Sequence, residues 1–178
     1  MPPFPVALDL GPAVLRPWRA EDAAVIVAYA NDREVWINLR DAFPHPYTLA
    51  DAEAYVRRMI AQTKPTGFAI EVDGQAVGSV GFKLGEDVER TGAEIGYWLG
   101  QPFWGRGIMT AVVAAASRWA IEAHDLTRIF AVPFAWNVAS ARVLEKAGFI
   151  LEGRLRRSVI KDRTIVDQLL YAWVPEPT

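Results

Sequence analysis

The chain contains no cysteine, which excludes disulfides, thiolate zinc sites, iron–sulfur clusters and a cysteine nucleophile at once. It has two histidines, His45 between prolines and His124 at an expected helix end, and neither stands with the partners a Ser–His triad needs. No apolar run approaches the ~20 residues of a membrane span, and Met1-Pro2-Pro3-Phe4-Pro5 lacks the basic start of a secretion signal. Charge of neither sign dominates: 19 Lys/Arg face 21 Asp/Glu, a net of −2, so the basic stripe of a nucleic-acid binder is missing. Repeats, linkers and low-complexity runs are missing too. The expectation is one soluble cytoplasmic domain over residues 1–178, with neither a membrane nor a nucleic acid as partner, monomeric or homodimeric.

What is present is the composition of a folded protein, 52% hydrophobic and 22% charged. The charge is unevenly placed, with a net of −5 over residues 1–100 and +3 over residues 101–178. That modest positive half suits a small phosphorylated ligand, or is scattered solvated charge.

Patterning predicts a strand at Val14–Arg16, helices at Ala20–Ala30 and Leu49–Gln62, and an irregular aromatic and proline-rich stretch at 38–48 between them. Strands Phe68–Val72 and Ala76–Leu84 flank Asp73-Gly74, a strong hairpin signal. Glu86, Asp87, Glu89 and Arg90 read as a solvated turn. Ala93–Leu99 is the next strand, followed by a Gly/Pro-rich stretch and a helix over Ile108–Ala123. A strand at Arg128–Phe134 and a helix at Asn137–Ala147 follow, the latter capped by Asn137 and stopped by Gly148 with Phe149 packing back on Leu144. Leu155–Lys161 and Ile165–Val174 close the chain as a strand pair around Asp162-Arg163. The fold class is α/β or α+β, a sheet covered by helices.

The chemistry gathers at strand, then Trp104-Gly105-Arg106-Gly107-Ile108-Met109-Thr110, then helix. Glycines before a helix let a ligand approach the backbone closely, and the first four helical amides point at an anion with the dipole behind them. A Walker loop requires Gly-Lys-Ser/Thr, and a dinucleotide fingerprint requires glycine or alanine in place of Thr110. Both nucleotide readings fail. Alone, a G-x-G before a helix is also what a plain tight turn looks like.

A second run, N-x-x-S-x-x-V-L-E-K-x-G-F from Asn137 to Phe149, carries a family resemblance. Together with Trp104–Met109 it resembles the GNAT superfamily of acyl-CoA-dependent N-acetyltransferases, in particular the RimJ/RimL-type branch, whose named members acetylate ribosomal-protein N-termini. The family's acyl-CoA motif, Gln/Arg-x-x-Gly-x-Gly/Ala, falls on Trp104 to Met109, with Trp104 replacing Gln/Arg and Met109 the last small residue. Ala93–Trp98 and Asn38–Asp41 are similar to its other stretches. The resemblance implies a mixed, twisted, mostly antiparallel sheet of about seven strands. Its two central parallel strands, Ala93–Leu99 and Arg128–Phe134, would splay around acetyl-CoA.

The resemblance further implies that the pyrophosphate rests on the amides of Gly105, Arg106, Gly107, Ile108, Met109 and Thr110. The pantetheine arm would pair with Tyr97, Trp98 and Leu99, with Asn137 opposite unless it only caps its helix. Arg106, Arg142 and Lys146 are candidates for the nucleotide phosphates, the last two being equally a wet helix face. No metal is implied. A neutral amine is required for attack, and a carboxylate takes its proton. Glu94 is the candidate base, with Asp41 behind it and an arginine partner as Glu94's plainer role. Ser140 stands where the departing thiolate needs a hydrogen bond, or is an ordinary first-turn serine. Backbone N–H groups near Leu99 suit the oxyanion. Without cysteine, direct attack in a ternary complex is expected. Trp36, Arg40, Asp41, Phe43 and Tyr47, with Pro44, His45, Pro46, Trp98, Phe103 and Trp136, are candidate walls for an amine acceptor, a protein N-terminus or small molecule. Most of these aromatics are equally core. A non-catalytic acyl-CoA-binding module is the alternative.

Overall fold

The structure is a computed structural model that describes residues 7–176; the Met1–Pro5 stretch lies outside them. In chain order the elements are β1 (Leu8–Asp9), β2 (Val14–Arg16), α1 (Asp22–Ala30), α2 (Arg33–Trp36), α3 (Leu49–Ile60), β3 (Gly67–Val72), β4 (Gln75–Leu84), β5 (Gly92–Leu99), α4 (Ile108–His124), β6 (Arg128–Ala131), α5 (Val138–Lys146), β7 (Ile150–Lys161) and β8 (Thr164–Trp173). Among the described residues eight strands form one mixed, mostly antiparallel sheet in the order β1-β2-β3-β4-β5-β6-β8-β7. The parallel pair is β5 with β6, in register from Gly92↔Arg128 to Glu94↔Phe130. The eighth strand is β1, two residues long and too short to leave a periodic signal. No described helix is long and apolar enough to cross a membrane.

The chain divides into two compact units. The first takes the described residues up to Gly81 together with Tyr97–Val112. Its β3–β4 hairpin turns on Asp73 and Gly74, both left-handed at φ 50° and 79°, as a two-residue loop demands. Helix α3 starts with a capping box, Thr48 accepting from the Asp51 amide and Asp51 from the Thr48 amide. Its buried face, Ala52 and Val56, joins Trp18, Ile26, Ala30, Tyr47, Ala69 and Ala76 in one core. Burying a side chain such as Ile26 stabilises by roughly 1.5–3 kcal/mol.

Within that core lies a buried ion pair. Arg16 and Asp22 meet through two hydrogen bonds of 2.8 Å, with side chains 2% and 5% exposed. The second carboxylate that reaches Arg16 is Glu71, on its Nε. Asp22 also accepts the Arg19 amide at 2.8 Å, so its lone pairs are filled as burial requires.

The second unit takes Phe82–Gly96 and the described residues from Val113 onward. Buried Val113, Ala116 and Ala120 give α4 its inner face. Strand β6 stops at Ala131, three residues short of the expected Phe134, because Pro133 has no N–H to continue the ladder. Phe134 returns as a lone bridge to Gln168. Helix α5 is stopped by Gly148, left-handed at φ 92°, and the Phe149 amide bonds back to Leu144 O at 2.9 Å, with both side chains buried. Strand β7 begins at Ile150, earlier than the expected Leu155, and pairs β8 around left-handed Asp162 and Arg163. The short α2 was not expected; Asp32 caps it by accepting the Glu34 amide at 2.8 Å.

Removing one partner of a buried pair leaves an uncompensated charge. Asp22→Ala is therefore expected to lower unfolding stability by about 3–5 kcal/mol in urea titration. A loss below about 1 kcal/mol would show that the pair contributes little.

Candidate active site

The first unit contains the corner where β5 becomes α4. Strand β4 passes tightly below the end of β5: a Cβ on Gly78 would lie 2.4 Å from Trp98 O. The Gly100 amide then bonds to Val77 O at 2.8 Å, and Gly100 abuts the Tyr29 ring, which leaves no room for a side chain. A 3-10 turn over Gln101–Phe103 follows, its Phe103 packed edge-on against Tyr29 at 5.4 Å. The Trp104 indole N–H donates to Leu99 O at 2.7 Å, closing the turn onto the strand.

Beyond this anchored turn the backbone opens. Gly105 and Gly107 are left-handed at φ 73° and 76°, and nothing lies within 4 Å of where either Cβ would be. The first helical bond runs from the Ala111 amide to Gly107 O at 3.2 Å. The amides of Gly107, Ile108, Met109 and Thr110 therefore have no acceptor within the helix. Ile108 and Met109 bury their side chains, at 2% and 8% exposed, so their bulk points into the core. Arg106 is exposed, its guanidinium 5.4 Å from the Phe103 ring centre. A 17-residue helix adds about half a positive charge here. The corner fits a phosphate: open space, unfilled donors and a nearby cation.

Tyr97 and Trp98 are half-buried and Leu99 is buried. The Leu99 carbonyl is already engaged by Trp104, so a pantetheine arm pairing here has the neighbouring backbone groups to use. Phe43 lies edge-on to Trp98 at 5.5 Å and stacks on Tyr47 at 4.7 Å; Trp36 stacks on His45 at 5.3 Å. The 37–48 segment is irregular, as its prolines dictate, while Arg40 and Asp41 are exposed. Tyr47, a candidate acceptor wall, belongs to the core: it is 5% exposed, its amide bonds to Asn31, and burial pushes its phenol up to about 12. Phe43 covers it. Tyr29, which shapes the Gly100 turn, carries no local sequence signal, because an aromatic in a largely apolar helix gives no sign of what it meets.

The remaining candidates stand on the second unit. Glu94 is half-buried on β5 opposite Phe130 in register, between buried Ala93 and Ile95 on the other face. Asn137 caps α5, its Oδ1 accepting the Ser140 amide at 3.0 Å. The cap uses only the oxygen; the side-chain NH₂ is the end of Asn137 suited to a ligand carbonyl. Ser140 contributes its backbone to the cap and is half-buried. Arg142 and Lys146 lie exposed one turn apart on α5. Trp136 is 40% exposed and edge-on to Phe134, and His124 is edge-on to Trp119.

Corner and sheet together define an α+β fold of the kind that the motifs resemble. The sequence profile of the acetyltransferase (GNAT) domain matches residues 13–150, and the chain belongs to that family. Among its relatives and structural neighbours are members of the RimJ/RimL branch. The ribosomal-protein-serine acetyltransferase of Escherichia coli is 31% identical over 105 residues, 59% of this chain and 58% of that protein. The chain thus spans a little over half the length of several curated relatives it matches. The uncharacterized N-acetyltransferase p20 of Bacillus licheniformis is 30% identical over 80% of this chain and 81% of its own. RimJ of Mycobacterium smegmatis, solved with a CoA-disulfide, superposes with a TM-score of 0.81 at 28% identity, over 92% of this chain and 82% of that one.

Trp104→Phe keeps the ring and deletes the bond to Leu99 O. Stability is expected to fall by about 0.5–1.5 kcal/mol, with faster hydrogen exchange over residues 100–105. Unchanged exchange there would show that the bond does not hold the turn.

Proposed function

We propose that the chain is an acetyl-CoA-dependent N-acetyltransferase acting as one domain, and that its acceptor is a primary amine, in the first place a protein N-terminal α-amine. The observation that carries this reading is the open corner at Gly105 and Gly107, where four helical amides meet space that any Cβ would fill. Those amides, with Arg106, hold the pyrophosphate; Arg142 and Lys146 serve the remaining phosphate, and Asn137 and the Tyr97–Leu99 backbone hold the pantetheine arm. An α-amine, with a pKa of ~7.7–8.0, is freed of its proton far more readily near neutral pH than a lysine amine at ~10.4, and ribosomal-protein relatives support that choice.

In this reading Glu94 takes the amine proton directly or through water, and an amide near Leu99 donates to the oxygen that becomes negative. Ser140 donates a hydrogen bond to the departing thiolate. No residue of the chain offers a cysteine for a covalent relay, so the amine attacks the thioester directly. Trp36, Phe43 and the exposed Arg40 and Asp41 face the acceptor.

The test is thiol release from acetyl-CoA with a panel of amines that includes N-terminal peptides; turnover on at least one acceptor is expected. Binding without turnover on any of them would instead make the chain a coenzyme-binding module. Gly107→Trp is expected to abolish acetyl-CoA binding by calorimetry in a variant whose circular dichroism is intact. Retained affinity would overturn the phosphate role of the corner. Ser140→Ala leaves the Asn137 cap in place, because the cap uses the Ser140 backbone. It is expected to slow turnover by at least about tenfold while the coenzyme Kd holds. A wild-type rate with chemistry limiting would remove Ser140 from the mechanism.

A further inference from the structure

The β7–β8 ladder contains an interruption that ordinary pairing does not explain. Leu155 pairs Gln168 and Val159 pairs Val166, so Arg156, Arg157 and Ser158 together oppose Asp167 alone. Arg157 is left-handed at φ 51°, a conformation costing a non-glycine residue about 1 kcal/mol or more. The Asp167 carboxylate fastens this bulge: one oxygen accepts the Arg157 amide at 2.7 Å and the other accepts Arg154 Nε–H at 2.7 Å. These donors, with the charge of Arg156, hold the Asp167 carboxyl below the usual carboxylate range.

The same stretch of β8 holds the approach to α5. Asp167 O accepts the Ala135 amide and Pro133 O accepts the Leu169 amide, each at 2.9 Å. Between them the Gln168 side chain, 7% exposed, donates to Val132 O and accepts from the Ser158 hydroxyl, both at 3.1 Å. Bulge and approach are thus locked to each other through three consecutive residues, and Asn137 with its Ser140 cap begins two residues after Ala135. The bulge presents Arg156 and Arg157 exposed, with three guanidinium groups against one carboxylate. A guanidinium is the side chain best matched to a carboxylate, which it binds through two parallel N–H bonds.

Resting on the acetyltransferase reading above, we propose that this bulge recognises the acceptor: Asp167 positions it, and Arg156 pairs with a carboxylate that the acceptor carries close to its reacting amine. The preferred acceptor is therefore an acidic N-terminal peptide. The experiment compares kcat/KM for two tetrapeptides with free N-termini, Ala-Asp-Glu-Tyr and its neutral counterpart Ala-Asn-Gln-Tyr. The wild type is expected to favour the acidic peptide by about tenfold or more, the scale of one charge-assisted hydrogen bond. Arg156→Glu is expected to abolish that preference, with the loss in KM and not in kcat, and Arg156→Lys to restore part of it. Asp167→Asn is expected to weaken the preference although Arg156 is intact. Equal use of both peptides by the wild type, or a preference surviving in Arg156→Glu, overturns the proposal and leaves the acetyltransferase reading standing. If the wild type acetylates no amine at all, both fall together.

Discussion

The structure turns on a property of the helical backbone: the first four amides of a helix have no partner of their own. At α4 these amides are brought to the end of a strand and left facing open space, because Gly105 and Gly107 take left-handed conformations that keep side chains out of the way. Half a unit of positive charge from the helix dipole and the exposed Arg106 act on the same spot. The donors are peptide groups in a regular helix, so they need no side-chain ordering to receive an anion.

The open corner is held by a closed one. Gly78 lets β4 run against Trp98, Val77 takes the Gly100 amide, Tyr29 fills the space beside Gly100, and Trp104 ties the turn back to Leu99. Each of these contacts is made just before the glycines, where rigidity aims the backbone; the glycines themselves are left unencumbered. The Trp104 contact is of interest because the family's motif has Gln or Arg in that place, and here an indole N–H supplies the donor.

Elements whose information lies in a few neighbouring residues were legible in the sequence. Asp73-Gly74 specified its hairpin, Asn137 its cap and Gly148 its stop, because each acts within four residues along the chain. The glycine corner was legible for the same reason, and the family resemblance added to it a fold that the profile match supports. Features set by distant partners were not. The early end of β6 follows from Pro133, but that proline was outweighed by its apolar neighbours. Tyr47 looked like a loop aromatic, and only packing against α1 and α3 residues makes it core. The Arg156–Ser158 bulge depends on Asp167, about ten residues on, which no local pattern advertises.

The turn at Asp162 and Arg163 has a consequence for how its hairpin is made. Both residues are left-handed, at φ 46° and 64°, yet neither is glycine, so this tip works against the ribbon it closes. The Asp73-Gly74 tip, with glycine at its second position, carries less of that opposition. The cross-strand pairs beside Asp162 and Arg163, Lys161↔Thr164 and Ile160↔Ile165, must therefore offset the strain held at this tip. Its outermost rungs are the natural place for this ribbon to fray first.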